Sequence, residues 1–378
     1  MKYYLIAGEA SGDLHGSNLM KGILKADPGA RFRFWGGDKM AAVGGAENLA
    51  MHYEKASFMG FTEVLKNLRT IFGQIEQCKR DVAAYAPDVL VLIDYAGFNL
   101  RLARFGRERG IPTYYYIAPK VWAWKESRVK KIRRWVDRLF VIFPFEVEYF
   151  RRRGIEAIYE GNPLMDAIDA RRAALGSKEE FRAVHGLDGR PVVACLAGSR
   201  RSEIGYNLPF MVELSGRFPQ YQFVVAGVPW LDRSVYEPLI AGSPMRYVCD
   251  ATYELLAHSE AAVVTSGTAT LETALLGTPE MVCYRRDWPS MLIGKMFLKT
   301  KYVSLVNLVL ARECVRELLQ HHMTMANATA ELQAILPGGA KHERMKTDYA
   351  ELRSLIGRSG VSDRVGSRMV ELLKSDMK

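Results

Sequence analysis

The sequence predicts an α/β protein made of two similar doubly wound domains, and three observations lead to this prediction. Short apolar runs typical of buried parallel strands alternate with helical patterns, most clearly at DVLVLID (88–94). The alternation loosens at 161–177 and starts again with PVVACLAGSR (191–200). The length of 378 residues suits two domains. Such sheets bind ligands at the carboxyl ends of their strands, where we expect the functional residues.

Each predicted element follows from these local patterns. In the first half, strands are expected at 2–7, 31–37, 88–94, 111–118 and 137–143, with one helix to about Lys25 and another over 63–86. In the second half, strands are expected at 191–197, 221–227, 247–250, 261–264 and 280–284, with helices from about Glu203 and over 269–276. The chain is predicted to be helical beyond about Arg312, including amphipathic segments at 341–357 and 361–374.

Composition narrows the class of protein without choosing a function. A hydrophobic content of 49% and a charged content of 25% are those of a globular protein, and no 18 consecutive residues are apolar. The apolar run Tyr3–Ala7 leads straight into GEASGD, which favours a buried strand over a signal peptide. Five cysteines without a C-x-x-C pair favour reduced thiols in the cytoplasm. The net charge of +10 indicates a polyanionic partner, a membrane surface or a phosphorylated substrate.

The stretch 261–285, AAVVTSGTATLETALLGTPEMVCYR, has the pattern of a phosphate-binding turn. A buried strand, the small residues Ser266, Gly267 and Thr268, and the start of a helix together present unpaired backbone N–H groups to an anion. Thr268 is expected to cap that helix. Glu272 lies one residue too far along for a capping box, which leaves its carboxylate for a ribose hydroxyl. The alternative is a turn that needs small residues for packing, with Glu272 interacting only with the helix dipole.

LAGSRRSEI (196–204) repeats this logic with a strand, a Gly-Ser turn and a helix. Ser199 lies in the turn, and Arg200 and Arg201 follow where a guanidinium would reach a diphosphate. The alternative is a helix start whose arginines pair with surface acids.

Two carboxylates end strands of the first half. Glu9 follows the first strand, and we expect its side chain to contact substrate. Asp94 ends the 88–94 strand and is either an acceptor that anchors the next loop or an acid of the binding site. Asp13 is expected to cap the helix that follows it.

The segment 118–138 carries eight basic residues with interleaved tryptophans. This combination suits single-stranded nucleic acid or an anionic lipid surface. A solvated helix face would explain the later Lys/Arg run. It would not explain PKVWAW (119–124), where Trp122 is expected to contact substrate.

Several catalytic patterns are missing from the sequence. There is no Asp-x-Asp pair, no H-E-x-x-H and no G-x-S-x-G, and the seven histidines form no ligand-spaced cluster. Metal catalysis and serine hydrolysis are therefore not expected, and we predict neither a metal site nor a cofactor.

Taken together, eight motifs resemble the lipid-A-disaccharide synthases, a family of bacterial glycosyltransferases. They cover the chain in order: GEASGD (8–13), MGFTEVL (59–65), IDYAGFN (93–99), PKVWAW (119–124), GNPL (161–164), LAGSRRSEI (196–204), SGTATLE (266–272) and YVSLVNL (302–308). Many relatives have Pro and a second acid where this chain has Ala96 and Gly97, which concentrates the catalytic role on Asp94. Some have His in place of Asn162 and Pro in place of Ala197.

The resemblance implies a GT-B architecture, in which two Rossmann-like domains face each other across a cleft. It places an acceptor- and membrane-side domain at 1–165, a UDP-sugar domain at 166–340 and helices crossing back to the first domain at 341–378. The implied reaction is an inverting transfer that joins UDP-2,3-diacylglucosamine to 2,3-diacylglucosamine 1-phosphate (lipid X) by a β-1,6 bond. The products are lipid A disaccharide 1-phosphate and UDP, in the lipid A biosynthesis of a Gram-negative bacterium.

The resemblance also implies site residues and a location. The UDP-binding residues are Ser199, Arg200, Ser266, Gly267, Thr268 and Glu272. The catalytic base is Asp94, with Glu9 as the alternative. The substrate-binding residues are Asn307, Trp122 and Met59. Such an enzyme is cytoplasmic and peripheral on the inner membrane, has no nucleic-acid partner, and can form a homodimer.

Two other classes remain open at this stage. A UDP-N-acetylglucosamine 2-epimerase would share the fold and the UDP site but would not need the apolar surface at 57–75 or PKVWAW. A nucleic-acid-binding protein would explain the charge of +10 and the tryptophans but would leave both nucleotide turns unused. Release of UDP on mixing the two lipid substrates distinguishes all three.

Overall fold

The computed structural model describes residues 1–56, 68–123, 125–285 and 300–377. It divides into two compact units. Unit 1 comprises Met1–Asp166 together with Arg358–Lys378, and unit 2 comprises Ala167–Gly357. The first unit is therefore built from two separate parts of the chain.

The sheet of unit 1 is parallel in every pairing, with strand order β3-β2-β1-β4-β5-β6-β7. Its strands are β1 (Lys2–Ala7), β2 (Arg31–Gly36), β3 (Leu49–His52), β4 (Val89–Ile93), β5 (Thr113–Tyr116), β6 (Arg138–Val141) and β7 (Ala157–Tyr159). The order reverses between β1 and β4, which is the topological switch point of a Rossmann sheet.

Unit 2 repeats this topology, with strand order β10-β9-β8-β11-β12-β13 and only parallel pairings. Its strands are β8 (Val192–Leu196), β9 (Gln222–Gly227), β10 (Arg246–Cys249), β11 (Ala261–Thr265), β12 (Glu280–Tyr284) and β13 (Glu317–Leu319). Here the switch point lies between β8 and β11.

Helices connect the strands in both units. In chain order they are α1 (Ala10–Ala26), α2 (Asp38–Gly44), α3 (Tyr53–Ala56), α4 (Leu68–Tyr85), α5 (Ala96–Glu108), α6 (Arg128–Trp135), α7 (Pro144–Arg151), α8 (Leu164–Ala173), α9 (Lys178–His185), α10 (Arg201–Ser215), α11 (Glu237–Ile240), α12 (Thr252–Ala257), α13 (Thr268–Leu276), α14 (Leu305–Leu310), α15 (Met325–Ile335), α16 (His342–Ile356) and α17 (Val361–Asp376). Short 3₁₀ turns lie at Ala46–Asn48, Arg233–Val235 and Gln320–His322.

The apolar strands of unit 1 bury both of their faces. Tyr4 and Ile6 of β1 belong to one core cluster, whereas Tyr3, Leu5 and Ala7 belong to another on the opposite face. This alternation follows from the two-residue period of a strand, and it explains why the strands read as continuous apolar runs.

Helix α17 closes the second of these cores against α1. A Cβ added to Gly22 would lie 2.3 Å from the carbonyl oxygen of Ser362, and one added to Gly366 would lie 2.5 Å from the carbonyl carbon of Gly22. The two helix backbones therefore touch where they cross, which only glycine permits. The carboxylate of Asp166 caps α17 by accepting the N–H groups of Gly360 and Val361, at 2.6 and 3.1 Å.

Two local predictions were wrong. Asp13 lies inside the first turn of α1 and does not cap that helix; its buried carboxylate accepts the N–H groups of Gly37 and Met40 at the start of α2. The chain beyond Arg312 is not purely helical, because Glu317–Leu319 pairs with β12 as an edge strand. Within the predicted helix 63–86, residues 63–67 lie outside the described part of the chain.

Candidate functional site

The two carboxylates singled out in unit 1 lie at its switch point. Glu9 follows β1 and Asp94 follows β4, and these two strands are neighbours in the sheet. The carboxyl ends of adjacent parallel strands meet at one edge, and a crevice at the switch point is where such sheets bind ligands.

The backbone at Asp94 adopts an uncommon conformation that the surrounding residues hold in place. Asp94 and Tyr95 have φ values of 44° and 45°, in the left-handed region. The carbonyl of Asp94 accepts the Asn99 amide at 2.9 Å and the Tyr115 hydroxyl at 2.5 Å. Strain of this kind persists only where neighbouring contacts fix it, and it is common at active sites.

The charge environment suits Asp94 to the role of a base. Burial raises the pKa of its carboxyl, while the Lys120 ammonium, the Tyr95 N–H and the Arg128 guanidinium lower it. A carboxylate that is buried yet accompanied by cations combines raised basicity with a retained charge.

The Tyr95 side chain packs next to Gly8 and interacts with the neighbouring Glu9. A Cβ added to Gly8 would lie 2.3 Å from the Tyr95 ring, so glycine is required where the ring passes β1. The Glu9 charge raises the pKa of the Tyr95 hydroxyl, although burial is the larger cause. His15 lies further along α1, and burial lowers its pKa to about 4, so its imidazole is neutral at pH 7.

Trp122 is held by a buried acid that the sequence analysis overlooked. Its indole Nε1 donates to Glu146 at 2.8 Å, and its ring packs edge-on against Phe143 and Phe145. Glu146 stands in the first turn of α7, two residues after Pro144. A Pro at the start of a helix followed by Glu in the first turn is a helix-start signal that would have marked this residue for attention.

The nucleotide-binding turns predicted in unit 2 also lie at its switch point. Ser199 and Arg200 follow β8, and Ser266, Gly267 and Thr268 follow β11, which is the neighbouring strand. The structure thus places the two turns at the same edge of one sheet.

Helix α13 starts without a side-chain cap. Its N-cap residue is Gly267, and Thr268 is its first helical residue, so the predicted capping role of Thr268 was wrong. Because no side chain caps this end, its first N–H groups remain available to an anion.

The other turn is organised by Glu203. The buried Glu203 carboxylate accepts the Ser199 N–H at 3.1 Å and pairs with the Arg200 guanidinium at 3.1 Å. A Cβ added to Gly198, which has φ 119°, would lie 2.6 Å from the Cβ of Glu203. The Arg200 side chain is 67% exposed despite this pair, so it remains accessible from solvent.

Glu272 has a partner inside unit 2. The Tyr253 hydroxyl donates to its Oε1 at 2.8 Å. Burial raises the pKa of the Glu272 carboxyl, and the bond from Tyr253 lowers it. The carboxylate expected to be free is therefore oriented by a tyrosine before any ligand binds.

Asn307 is buried and fully hydrogen-bonded. Its amide donates to the Val315 carbonyl at 2.8 Å and to Glu317 at 3.0 Å, and its oxygen accepts the N–H groups of Cys314 and Val315. An amide side chain has two donor hydrogens and two acceptor lone pairs, all of which are used here. The geometry thus gives Asn307 a part in fixing its own loop. Met59 lies outside the described residues.

Two features are absent from the described residues. No group of three or more His, Cys, Asp or Glu side chains in this part of the chain is arranged to hold a metal ion. No helix in the same residues is long and apolar enough to cross a membrane.

Comparison with known proteins gives a consistent result. The family model described as lipid-A-disaccharide synthetase matches residues 3–365. The lipid-A-disaccharide synthase of Syntrophus aciditrophicus (strain SB) is 36% identical, with 98% of this chain and 97% of the relative covered. That of Geobacter metallireducens (strain ATCC 53774 / DSM 7210 / GS-15) is also 36% identical, with 98% and 96% covered.

Solved structures with much lower identity share the fold. The UDP-GlcNAc 2-epimerase from Neisseria meningitidis bound to UDP-GlcNAc has a TM-score of 0.67 at 13% identity, covering 98% of this chain and 100% of that chain. The calicheamicin glycosyltransferase has a TM-score of 0.60 at 14% identity, covering 99% and 98%. The predicted α/β fold with two Rossmann-like sheets of the GT-B type is confirmed, and it is common to epimerases and glycosyltransferases.

Proposed function

Because the chain belongs to the lipid-A-disaccharide synthetase family, we propose that it joins UDP-2,3-diacylglucosamine to 2,3-diacylglucosamine 1-phosphate through a β-1,6 bond and releases UDP. The observation that carries the proposal is the family match over 3–365, which includes both switch points. The epimerase alternative shares only the fold, at 13% identity.

The UDP part of the donor is assigned to unit 2. The uncapped start of α13, at Ser266, Gly267 and Thr268, offers N–H groups to the diphosphate, and the exposed guanidinium of Arg200 adds a positive charge. Glu272, oriented by Tyr253, is assigned to a ribose hydroxyl. When UDP binds, the Arg200 guanidinium would contact phosphate oxygens and lose all or part of its ion pair with Glu203.

The acceptor sugar is assigned to unit 1, with Asp94 as the base. The 6-hydroxyl must lose its proton as it attacks the anomeric carbon, because a neutral alcohol is a weak nucleophile. Burial makes the Asp94 carboxylate poorly solvated and raises its pKa, while Lys120 and Arg128 favour its charged form, so it accepts that proton readily. Glu9 on the adjacent strand is the alternative base, and Trp122 is assigned to the wall of this site.

A single displacement accounts for the stereochemistry. An α-linked UDP-sugar that yields a β-linkage is inverted once, so one base and one leaving group suffice. The developing charge on UDP is stabilised by Arg200 and by the N–H groups near Ser266 and Thr268, which replace a divalent ion in this scheme.

Peripheral association with the inner face of the cytoplasmic membrane forms the second part of the proposal. Two segments that combine apolar and basic residues, 57–75 and 288–301, are also expected to contact the membrane, and they lie largely outside the described residues. Among the described residues, α6 exposes Lys130, Lys131, Arg133 and Arg134. Such a basic helix face is attracted to anionic lipids. A homodimer stays a prediction, to be tested by the molecular mass in solution.

The assay that tests the proposal is release of UDP when purified protein is mixed with both lipid substrates. UDP is expected only when donor and acceptor are present together, with one disaccharide formed per UDP. Conversion of UDP-N-acetylglucosamine to its 2-epimer without UDP release would support the epimerase instead. High-affinity binding of single-stranded nucleic acid, with neither reaction, would support the third class.

A further inference from the structure

Glu146 is a buried acid of unit 1 that has no part in the mechanism above. Its side chain is fully buried at the start of α7. One carboxylate oxygen accepts the Trp122 indole N–H at 2.8 Å, and the other accepts the backbone N–H groups of Ile142 and Phe143 at 3.1 and 3.0 Å. The carboxylate therefore joins Trp122, in the loop between β5 and α6, to the end of β6; residue 124 of this loop lies outside the described residues.

Two further contacts attach this loop to α7 and the turn after it. The Tyr149 hydroxyl donates to the Val121 carbonyl at 3.3 Å, and Arg153 pairs with Glu126 at 2.6 Å. Glu146 and Tyr149 are three residues apart on α7 and so lie on one face of this helix, and Arg153 lies in the turn after it. Of these three anchoring side chains, only that of Glu146 is fully buried.

The anchored loop brings positive charge to the proposed base. Lys120 stands two residues before Trp122, and its ammonium lowers the pKa of the Asp94 carboxyl and that of the Glu146 carboxyl. Arg128, directly after the loop, lowers the pKa of Asp94 as well. The place of this loop thus affects how readily Asp94 is ionised.

We propose that Glu146 is a positioning residue for the transfer reaction, because it holds the Trp122 loop, which carries Lys120 and leaves β5 next to Asp94, where the Asp94 N–H donates to the Tyr116 carbonyl at 3.0 Å. The inference rests on the proposed function, in which Asp94 is the base. Glu146 itself touches neither substrate nor the reacting atoms in this scheme.

The chemistry around Glu146 agrees with this role. Burial raises its pKa to about 7, while the bonds from Trp122, Phe143 and Ile142 and the charge of Lys120 lower it. Another titratable group that interacts with Glu146 is Tyr159 of β7, whose own pKa is raised by burial and by Glu146. A carboxylate accepts all three N–H donors at once, whereas removing it leaves buried donors unsatisfied.

Glu146→Gln tests the inference, because an amide has a single acceptor oxygen. The glutamine can accept from Trp122 or from the two backbone groups, but not from both sets. We expect kcat to fall about 10²-fold, the order of effect that a small misplacement near an active site produces. UDP affinity should stay unchanged because the UDP site is assigned to unit 2. Glu148→Gln is the matched control: its exposed carboxylate pairs with Arg151 and Arg152 and with no other side chain of the described residues, so kcat should stay at the wild-type value.

The pH profile separates positioning from a general loss of structure. When Lys120 moves away from Asp94, the pKa of Asp94 rises, so the part of the acidic limb of kcat/KM that belongs to Asp94 should shift to higher pH in Glu146→Gln, and the part that belongs to Glu146, near pH 7, should disappear. Lys120→Met should shift that limb in the same direction, and the double variant should shift it no further than Lys120→Met alone. A wild-type limb in Glu146→Gln, or shifts that add in the double variant, would overturn the inference.

Two more variants keep the test decisive. If Glu146→Gln does not fold, Trp122→Phe removes the same indole donor and must shift the limb; an unshifted limb there overturns the inference. Asp94→Asn separates this proposal from the proposed function. If Asp94→Asn keeps its turnover, the base assignment fails and the positioning role fails with it. If Asp94→Asn loses turnover while Glu146→Gln behaves as wild type, only the positioning role is refuted.

Discussion

Replacing Asp94 with asparagine tests the centre of the proposed mechanism. The amide keeps the size of the side chain but cannot accept a proton. General-base catalysis contributes about 10²–10⁴-fold, so turnover should fall by that factor, equivalent to about 3–5 kcal/mol of transition-state stabilisation. The upper part of the range is expected, because burial raises the pKa of Asp94 and so makes it a stronger base.

The same substitution carries its own control for folding. When folding raises the pKa of a carboxyl group, that group destabilises the native state only at pH values above its pKa in the unfolded chain, which is about 4. Below that pH the carboxyl group is protonated in both the folded and the unfolded state, so it does not lower the free energy of unfolding. Asp94→Asn removes the cost at high pH, so its thermal midpoint should equal or exceed that of the wild type at pH 8 and match it at pH 3.

The assay is UDP release from the two lipid substrates, measured together with UDP affinity and the thermal midpoint for each variant. The wild-type kcat/KM should rise with pH through the pKa of Asp94, and this limb should vanish in Asp94→Asn. Glu9→Gln is the comparison. If Asp94→Asn keeps most of its turnover while Glu9→Gln loses it, the base is Glu9 and the reasoning about Asp94 is refuted.

Three further predictions concern the nucleotide, the metal and the membrane. Glu272→Ala should weaken UDP binding by about 1–3 kcal/mol through loss of a charged hydrogen-bond acceptor, with a smaller loss in Tyr253→Phe; unchanged affinity in a folded Glu272→Ala protein, measured by calorimetry, would reject the ribose assignment. Excess EDTA should leave the turnover rate unchanged, because cationic and N–H groups of unit 2 are assigned to the leaving UDP. A requirement for added Mg²⁺ would contradict that scheme. Vesicles with anionic lipids should bind the protein at low salt and bind it less at high salt, and neutralising Lys130 and Lys131 of α6 should weaken that binding. If the protein does not sediment together with the vesicles at low salt, the membrane proposal is excluded.

The sequence predicted which residues lie at the carboxyl ends of the strands, because local patterns determine where each strand ends. Runs such as VLVLI in β4 are apolar throughout, and the residue that follows each run is by necessity at the sheet edge. Asp94, Ser199 and Ser266 could therefore be placed at strand ends without knowing any tertiary contact. The order of the strands, which makes these ends neighbours, is not determined by local patterns, and the right-handed crossovers of α/β folds only limit the possible orders.

Other features depend on contacts between distant residues and could not be predicted in this way. Glu317 begins an edge strand of only three residues, with a length and polarity that fit a turn equally well. Glu146 looks like an ordinary helix-start acid until Trp122, 24 residues earlier in the chain, is found against it. Glu272 was expected to be free because its partner Tyr253 lies 19 residues away on another helix.

The crossing of α1 and α17 has a consequence for the order of events during synthesis. Unit 1 is complete only when Val361–Asp376 packs against Ala10–Ala26, and Asp376 then pairs with Arg138 and bonds to Tyr114. The ribosome must therefore translate all of unit 2 before unit 1 receives its last helix. Until then, apolar residues of the β1–β4 region that α17 covers stay exposed on the nascent chain. A fragment ending at Asp166 should accordingly bind chaperones or aggregate, and adding a peptide of residues 358–378 in trans should rescue it.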